Sequence, residues 1–175
     1  KRKRVNKTMY EKMKETIASF EETIKSDKLK RLFDNCFYNT LDTTIEYLDD
    51  GSVYMLTGDI PAMWLRDSSA SVLQYIEFAK EDEDVFNLIK GLIKRQFFYI
   101  SIDPYANSFN RDPNGHGHTQ DEGERTPYTW ERKFEIDSLC YPIWLIYKLY
   151  KVTGRKEILD SEFVKTCKII IDVFK

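Results

Sequence analysis

A chain of 175 residues is one domain's worth, and with 42% hydrophobic and 32% charged residues it is too apolar for disorder and too interrupted by charge for a membrane interior. No window offers the roughly 20 uncharged residues that a membrane helix needs, so no membrane partner is expected. Twenty-seven basic against 29 acidic side chains give a formal net charge of −2, which leaves no global positive field to hold nucleic acid by counterion release. The one basic cluster, Lys1 to Arg4, has no apolar run behind it and so does not read as a signal peptide. A solvated leader is its simplest reading, ahead of a nuclear address or a nucleic-acid arm. Cys36, Cys140 and Cys167 are odd in number and widely spaced, which predicts reduced thiols packed as small hydrophobes in a cytoplasmic protein.

Apolar residues recur at helical spacing in six places. Met9, Met13, Ile17, Phe20 and Ile24 form the first stripe; Leu29, Leu32, Phe33, Cys36 and Phe37 form the second. Two β-prone runs, Thr44 to Leu48 and Val53 to Leu56, flank Asp49-Asp50-Gly51 and predict a short hairpin near 44–57. Val72, Leu73, Ile76 and Ala79 mark a third helix entered at Asp67 or Ser68. Val85 to Phe97 mark a fourth, begun by the acids Glu81 to Asp84. Between Asp103 and Phe134 neither period is present; a loop this long that carries Tyr105, Phe109, Tyr128 and Trp130 reads as a wall of a binding site. Leu139 to Leu149 predict a fifth helix ended by Thr153-Gly154, and Phe163 to Phe174 a sixth. That stripe is still running at Lys175 without a capping glycine, so the chain reads as continuing.

Two constellations could carry chemistry. In Thr57 to Ser68, Gly58 and Pro61 set a turn that brings Trp64, Arg66 and Asp67 to the entrance of the third helix. An indole stacks on the C–H face of a pyranose while a carboxylate and a guanidinium bind neighbouring hydroxyls. The competing reading makes Asp67 or Ser68 an N-cap, Arg66 its surface partner and Trp64 core. In Trp130 to Ser138, the acids Glu131, Glu135 and Asp137 enclose Arg132 and Lys133 at the start of the fifth helix. They suit a substrate clamp or an acid–base pair, or else a solvated helix start with Asp137 or Ser138 as cap. On a continuing helix Glu131 and Glu135 would lie side by side, the wrong geometry for an acid and a water-activating base. His116 and His118 are the only two histidines and lack a third ligand at a characteristic spacing, so they read as a flexible polar turn rather than a metal site. No GxSxG, Walker loop or GxGxxG is present.

Asn35 to Thr44, Thr57 to Ser68, Asp103 to Asn110 and Trp130 to Pro142 resemble, in that order, the N-terminal half of glycoside hydrolase family 125. The resemblance covers about residues 28 to 155. Tyr38, in place of an expected proline, and the inserted-looking turn from His116 to Glu124 depart from it. It implies an (α/α)6 barrel, here about its first half, and an inverting exo-α-1,6-mannosidase that needs no cofactor or catalytic metal and takes mannose-containing oligosaccharides. It also implies a sugar-recognition wall of Trp64, Arg66, Asp67, Asn110 and Glu131, with Lys133 and Asp137 as supports. The general acid and base match no residue here and are expected beyond Lys175. Alternatives are another inverting glycosidase of the same fold, acting on glucosides or trehalose, and a non-catalytic sugar-binding helical domain. The whole chain reads as one domain, partial, belonging to an (α/α)6 catalytic unit.

Overall fold

The computed structural model describes residues 9–118, 120–121 and 123–175, so the Lys1 to Arg4 cluster lies outside the described residues. The six expected helices are present as α1 (Glu11–Glu21), α2 (Asp27–Thr43), α3 (Leu65–Ser71), α4 (Glu83–Ile102), α5 (Ile136–Thr153) and α6 (Ser161–Phe174). Strands β1 (Ile45–Tyr47) and β2 (Val53–Met55) pair antiparallel as the predicted hairpin. The helices are joined by connections into which two small antiparallel sheets are set.

α4 is the axis of the molecule. Val85, Phe86, Leu88, Ile89, Leu92, Ile93, Tyr99 and Ile100 are buried, and the helix packs against β2, α5 and α6. The hairpin approaches so closely that a Cβ on Gly91 would lie 2.7 Å from Val53 Cγ2. The buried Arg95 fastens the hairpin turn by donating to Ser52 Oγ at 2.9 Å and Asp50 Oδ2 at 3.0 Å. At its other end α4 is capped by Asp82, whose Oδ1 accepts from the main-chain N–H groups of Asp84 and Val85. The remaining oxygen of Asp82 accepts from Met13 N at 3.0 Å, and Asp84 accepts from Tyr10 N at 3.0 Å. Two helix N-termini therefore converge on two carboxylates, whose charge offsets the positive ends of both dipoles.

Three expectations need correction. The third helix is not entered at Asp67 or Ser68: α3 begins at Leu65 behind an extended Trp64, then breaks at Val72 into a 3₁₀ segment, Leu73–Lys80. The Asp103–Phe134 stretch is not wholly irregular, because β4 (Ser108–Phe109) pairs with both β3 (Met63–Trp64) and β5 (Thr129–Glu131). The cysteines are not packed inside, since Cys36 and Cys140 are exposed and Cys167 is half-buried, all three as free thiols. Cys36 sits on a part of the α2 stripe that stays in solvent with Leu29 and Leu32. α5 likewise exposes Ile136, Cys140, Trp144 and Tyr147 at steps of three and four, one continuous apolar row. Among the described residues no helix is long and apolar enough to cross a membrane.

Candidate functional site

The site grows from the β3–β4–β5 sheet. Across it Trp64 lies opposite Ser108, and Ser108 opposite Glu131; the register slips between Ser108 and Phe109, leaving Trp130 as the extra residue of β5. Trp64 is pinned by its N–H donating to Thr57 Oγ1 at 3.0 Å, so the Gly58–Pro61 turn does set its position. The next N–H, of Leu65, donates to the main-chain carbonyl of Asn107 at 3.1 Å, which starts α3 at the sheet edge. Gln96 of α4 secures that turn from below, its amide donating to Leu65 O, Ser68 Oγ and Ser69 Oγ.

Arg66 then leaves the first turn of α3 among three carboxylates. Its Nη1 donates to Asp137 Oδ2 at 3.1 Å and lies 3.6 Å from Glu135 Oε2; its Nη2 lies 3.4 Å from Asp67 Oδ2. This ties the entrance of α3 to that of α5. The cluster faces solvent, with side-chain exposures of 33–44%. Asp67 Oδ2 is nevertheless shielded and makes no hydrogen bond, its contact with Arg66 being an ion pair without hydrogen-bond geometry. Neither Asp67 nor Ser68 is a cap, and Ser138 is a buried residue inside α5.

Glu131 is the buried member of the wall. One carboxylate oxygen accepts from Asn107 Nδ2 at 2.7 Å, the other from Lys133 Nζ at 2.8 Å. Burial alone would raise its pKa, but the hydrogen bonds from Lys133 and Asn107 hold it below the usual carboxylate range. Glu131 thus stays ionised, an acceptor for hydroxyls rather than a general acid, which needs a raised pKa. Lys133 shifts upward in response, chiefly through its bond to Glu131, with Asp121 and Glu135 adding smaller pulls. Because Glu131's pKa is depressed on folding, its contribution to stability is full above the unfolded value of about 4.3 and is lost as pH falls through the folded value. Glu131→Gln is therefore expected to flatten the acid limb of melting temperature against pH below about pH 4. An unchanged limb would show that the three-way contact contributes nothing.

Of the sequence-predicted residues, Arg66, Asp67 and Asp137 meet in one cluster and Glu131 with Lys133 in a second, with Trp64 leading from the sheet into the first. Glu131 is on a strand and Glu135 precedes α5, so the expected side-by-side pair on a helix does not exist. Asn110 is buried, and its amide donates to the carbonyls of His116 and Pro127 at 2.8 and 3.3 Å, holding a loop. Arg132 leaves the wall for Asp103, 3.0 Å away. Among the described residues no three His, Cys, Asp or Glu side chains are grouped to hold a metal ion.

The model of the metal-independent α-mannosidase family, glycoside hydrolase family 125, matches residues 26–175. The chain belongs to that family. It is 42% identical, with a TM-score of 0.83, to a solved metal-independent α-mannosidase of Streptococcus pneumoniae in a non-productive substrate complex with α-1,6-mannobiose, covering 91% of this chain and 39% of that one. It is also 33% identical to the meiotically up-regulated gene 157 protein of Schizosaccharomyces pombe, over 93% of this chain and 34% of that protein. The chain thus spans between a third and two fifths of the length of these relatives. Asn107 and Gln96 are the site-building residues that residue-level reading passed over. Asn107 stands in a recognisable motif, but its role rests on bonds to Leu65, Glu131 and Lys133, far apart in sequence. Gln96 carried no signal, being one polar residue on the apolar face of α4.

Proposed function

We propose that this chain is the N-terminal part of the catalytic domain of an inverting exo-α-1,6-mannosidase, which removes non-reducing terminal mannose from mannans or N-glycan fragments. The observation that carries the reading is the wall itself: an indole, a guanidinium among carboxylates and a buried ionised Glu131, all on the junction of β3–β5 with α3 and α5. Trp64 offers the stacking face, Arg66 donates to hydroxyls, and Asp67 and Glu131 accept from them. Lys133 and Asp137 orient Glu131 and Arg66, while Asn110 fixes the adjoining loop. The solved relative's complex with α-1,6-mannobiose supports mannose and the 1,6 linkage. The free thiols support a cytoplasmic setting.

Inversion needs two carboxyl groups roughly 6.5 to 9.5 Å apart, with room for water opposite the leaving group. Glu131 and Asp137 are both engaged by cations in the wall, and the family resemblance puts the acid and base on segments beyond these residues. The 175-residue chain alone is accordingly expected to hydrolyse no mannoside and to bind ANS through the exposed apolar residues of α2 and α5 and through Val164, Ile171 and Phe174 of α6, which are exposed too. The full-length protein, this chain continued to the length of its relatives, is expected to cleave α-1,6-mannobiose and bind little dye. Turnover by the short chain would overturn the division of labour, and cleavage of glucosides or trehalose in place of mannobiose would move the protein to another substrate.

A further inference from the structure

Asn107 lies fully buried immediately before β4, and both its main-chain and both its side-chain polar atoms are bonded. The main-chain carbonyl accepts from Leu65 N at 3.1 Å, and the N–H donates to Glu131 O at 3.2 Å. In the side chain Nδ2 donates to Glu131 Oε2 at 2.7 Å, while Oδ1 accepts from Lys133 N at 3.2 Å. Lys133 Nζ then returns to Glu131 Oε1 at 2.8 Å, closing a ring of three residues.

The two holds on the Glu131 carboxylate differ in kind. Lys133 is an ammonium whose side chain is 64% exposed, so its attraction is screened by salt. Asn107 is the buried hold, and its place in the ring needs a donor and an acceptor on one short planar group. Aspartate of the same size offers acceptors alone, and leucine of similar shape offers neither. A neutral amide also leaves the facing carboxylate ionised, whereas a second carboxyl there would share its proton. Through its carbonyl the same residue starts α3, whose second residue is Arg66. Asn107 therefore reaches the buried cluster with its side chain and the open cluster with its main chain.

We propose that Asn107 is the positioning residue of the sugar wall, holding the Glu131 carboxylate where it accepts from a hydroxyl and keeping it at a fixed spacing from Arg66. The inference rests on the mannosidase reading above. Asn107 acts on the sugar only through Glu131 and the first turn of α3.

The test is Asn107→Asp in the full-length protein, which keeps the size, the main-chain bonds and the acceptor for Lys133 N but sets a carboxylate oxygen against Glu131 Oε2. Two carboxylates that close share one proton and release it only at raised pH. Below that pH the shared O–H restores the bond, and above it the two charges repel. Lys133 and His118 face Glu131, with Asp121 and Glu135 acting on Lys133. Wild type and variant have all four in common, so the ratio of their rates reports position 107. Relative to wild type at the same pH, kcat/KM for α-1,6-mannobiose is expected to fall about threefold or less at about pH 5 and about 10-fold or more at about pH 8. The variant's melting temperature should drop against wild type over the same interval. A carboxyl whose pKa is raised on folding contributes stability that is full below the unfolded value and is lost as pH rises through the folded one. Exchanging the pair, Asn107→Asp with Glu131→Gln, sets an amide opposite a carboxylate again and should remove both pH dependences. A rate ratio that stays level across the interval while the melting temperature drops would overturn the positioning role and leave the mannosidase reading intact. A melting temperature equally displaced at both pH values would overturn the ring on which the role depends. A wild-type protein that turns over no mannobiose would overturn the mannosidase reading, and the role of Asn107 with it.

Discussion

Asp82→Ala in the full-length protein is expected to cost about 2 to 4 kcal/mol of stability. Loss of an N-cap costs about 0.5 to 2 kcal/mol, and a buried N–H left without an acceptor costs about 1 to 3 kcal/mol more. Both losses fall on Asp82, which caps α4 through one oxygen and holds Met13 N of α1 through the other. Met13 is itself fully buried, so its N–H has no ready access to replacement water. The comparison is Asp160→Ala, which removes an exposed cap from α6 and should cost only the first of these amounts. Urea unfolding of both variants measures the difference. Equal losses would mean that the α1–α4 junction adds nothing to simple capping.

Asp67→Ala is expected to lower kcat/KM for α-1,6-mannobiose about 10- to 100-fold with little change in folding. A charge-assisted hydrogen bond is worth about 1.5 to 3 kcal/mol, and Arg66 would also swing toward its remaining partners, Asp137 and Glu135. Asp67 Oδ2 is shielded and has no hydrogen-bond partner although the side chain is 44% exposed, so the carboxylate sits at the edge of the cluster with an acceptor to offer. Asp67→Asn, which keeps the size and one acceptor, should fall between the wild type and Ala. Activity within about threefold of wild type for Asp67→Ala would reduce Asp67 to a neutralising partner of Arg66.

Helix periodicity made α1, α2, α4, α5 and α6 legible, because each buries one face on a common core and burial imposes a 3.6-residue spacing. The entrance of α3 was not legible. Capping rules point to Asp67 or Ser68, yet the helix starts two residues earlier because Leu65 N finds its acceptor on Asn107, a partner supplied by tertiary structure. β3 to β5 are two or three residues long, too short to show alternation, and are held by pairings between segments tens of residues apart. The site residues were legible as Trp, Arg and acids grouped before two helices. Their separation into an open Arg66 cluster and a buried Glu131 cluster was not, since it depends on β5 extending Glu131 away from α5. The cysteines misled for a related reason: α2 and α5 carry apolar residues on faces that nothing among the described residues covers, so an apolar stripe there does not signify burial.

We propose that these residues build the sugar wall of a metal-independent, inverting α-1,6-mannosidase. Proton NMR of α-1,6-mannobiose with the full-length protein in excess EDTA, followed from the first minutes before mutarotation, tests it most directly. The expected result is undiminished release of mannose whose anomeric signal appears first as β and drifts toward equilibrium. First appearance of the α anomer, loss of turnover in EDTA, or no mannose at all would contradict it.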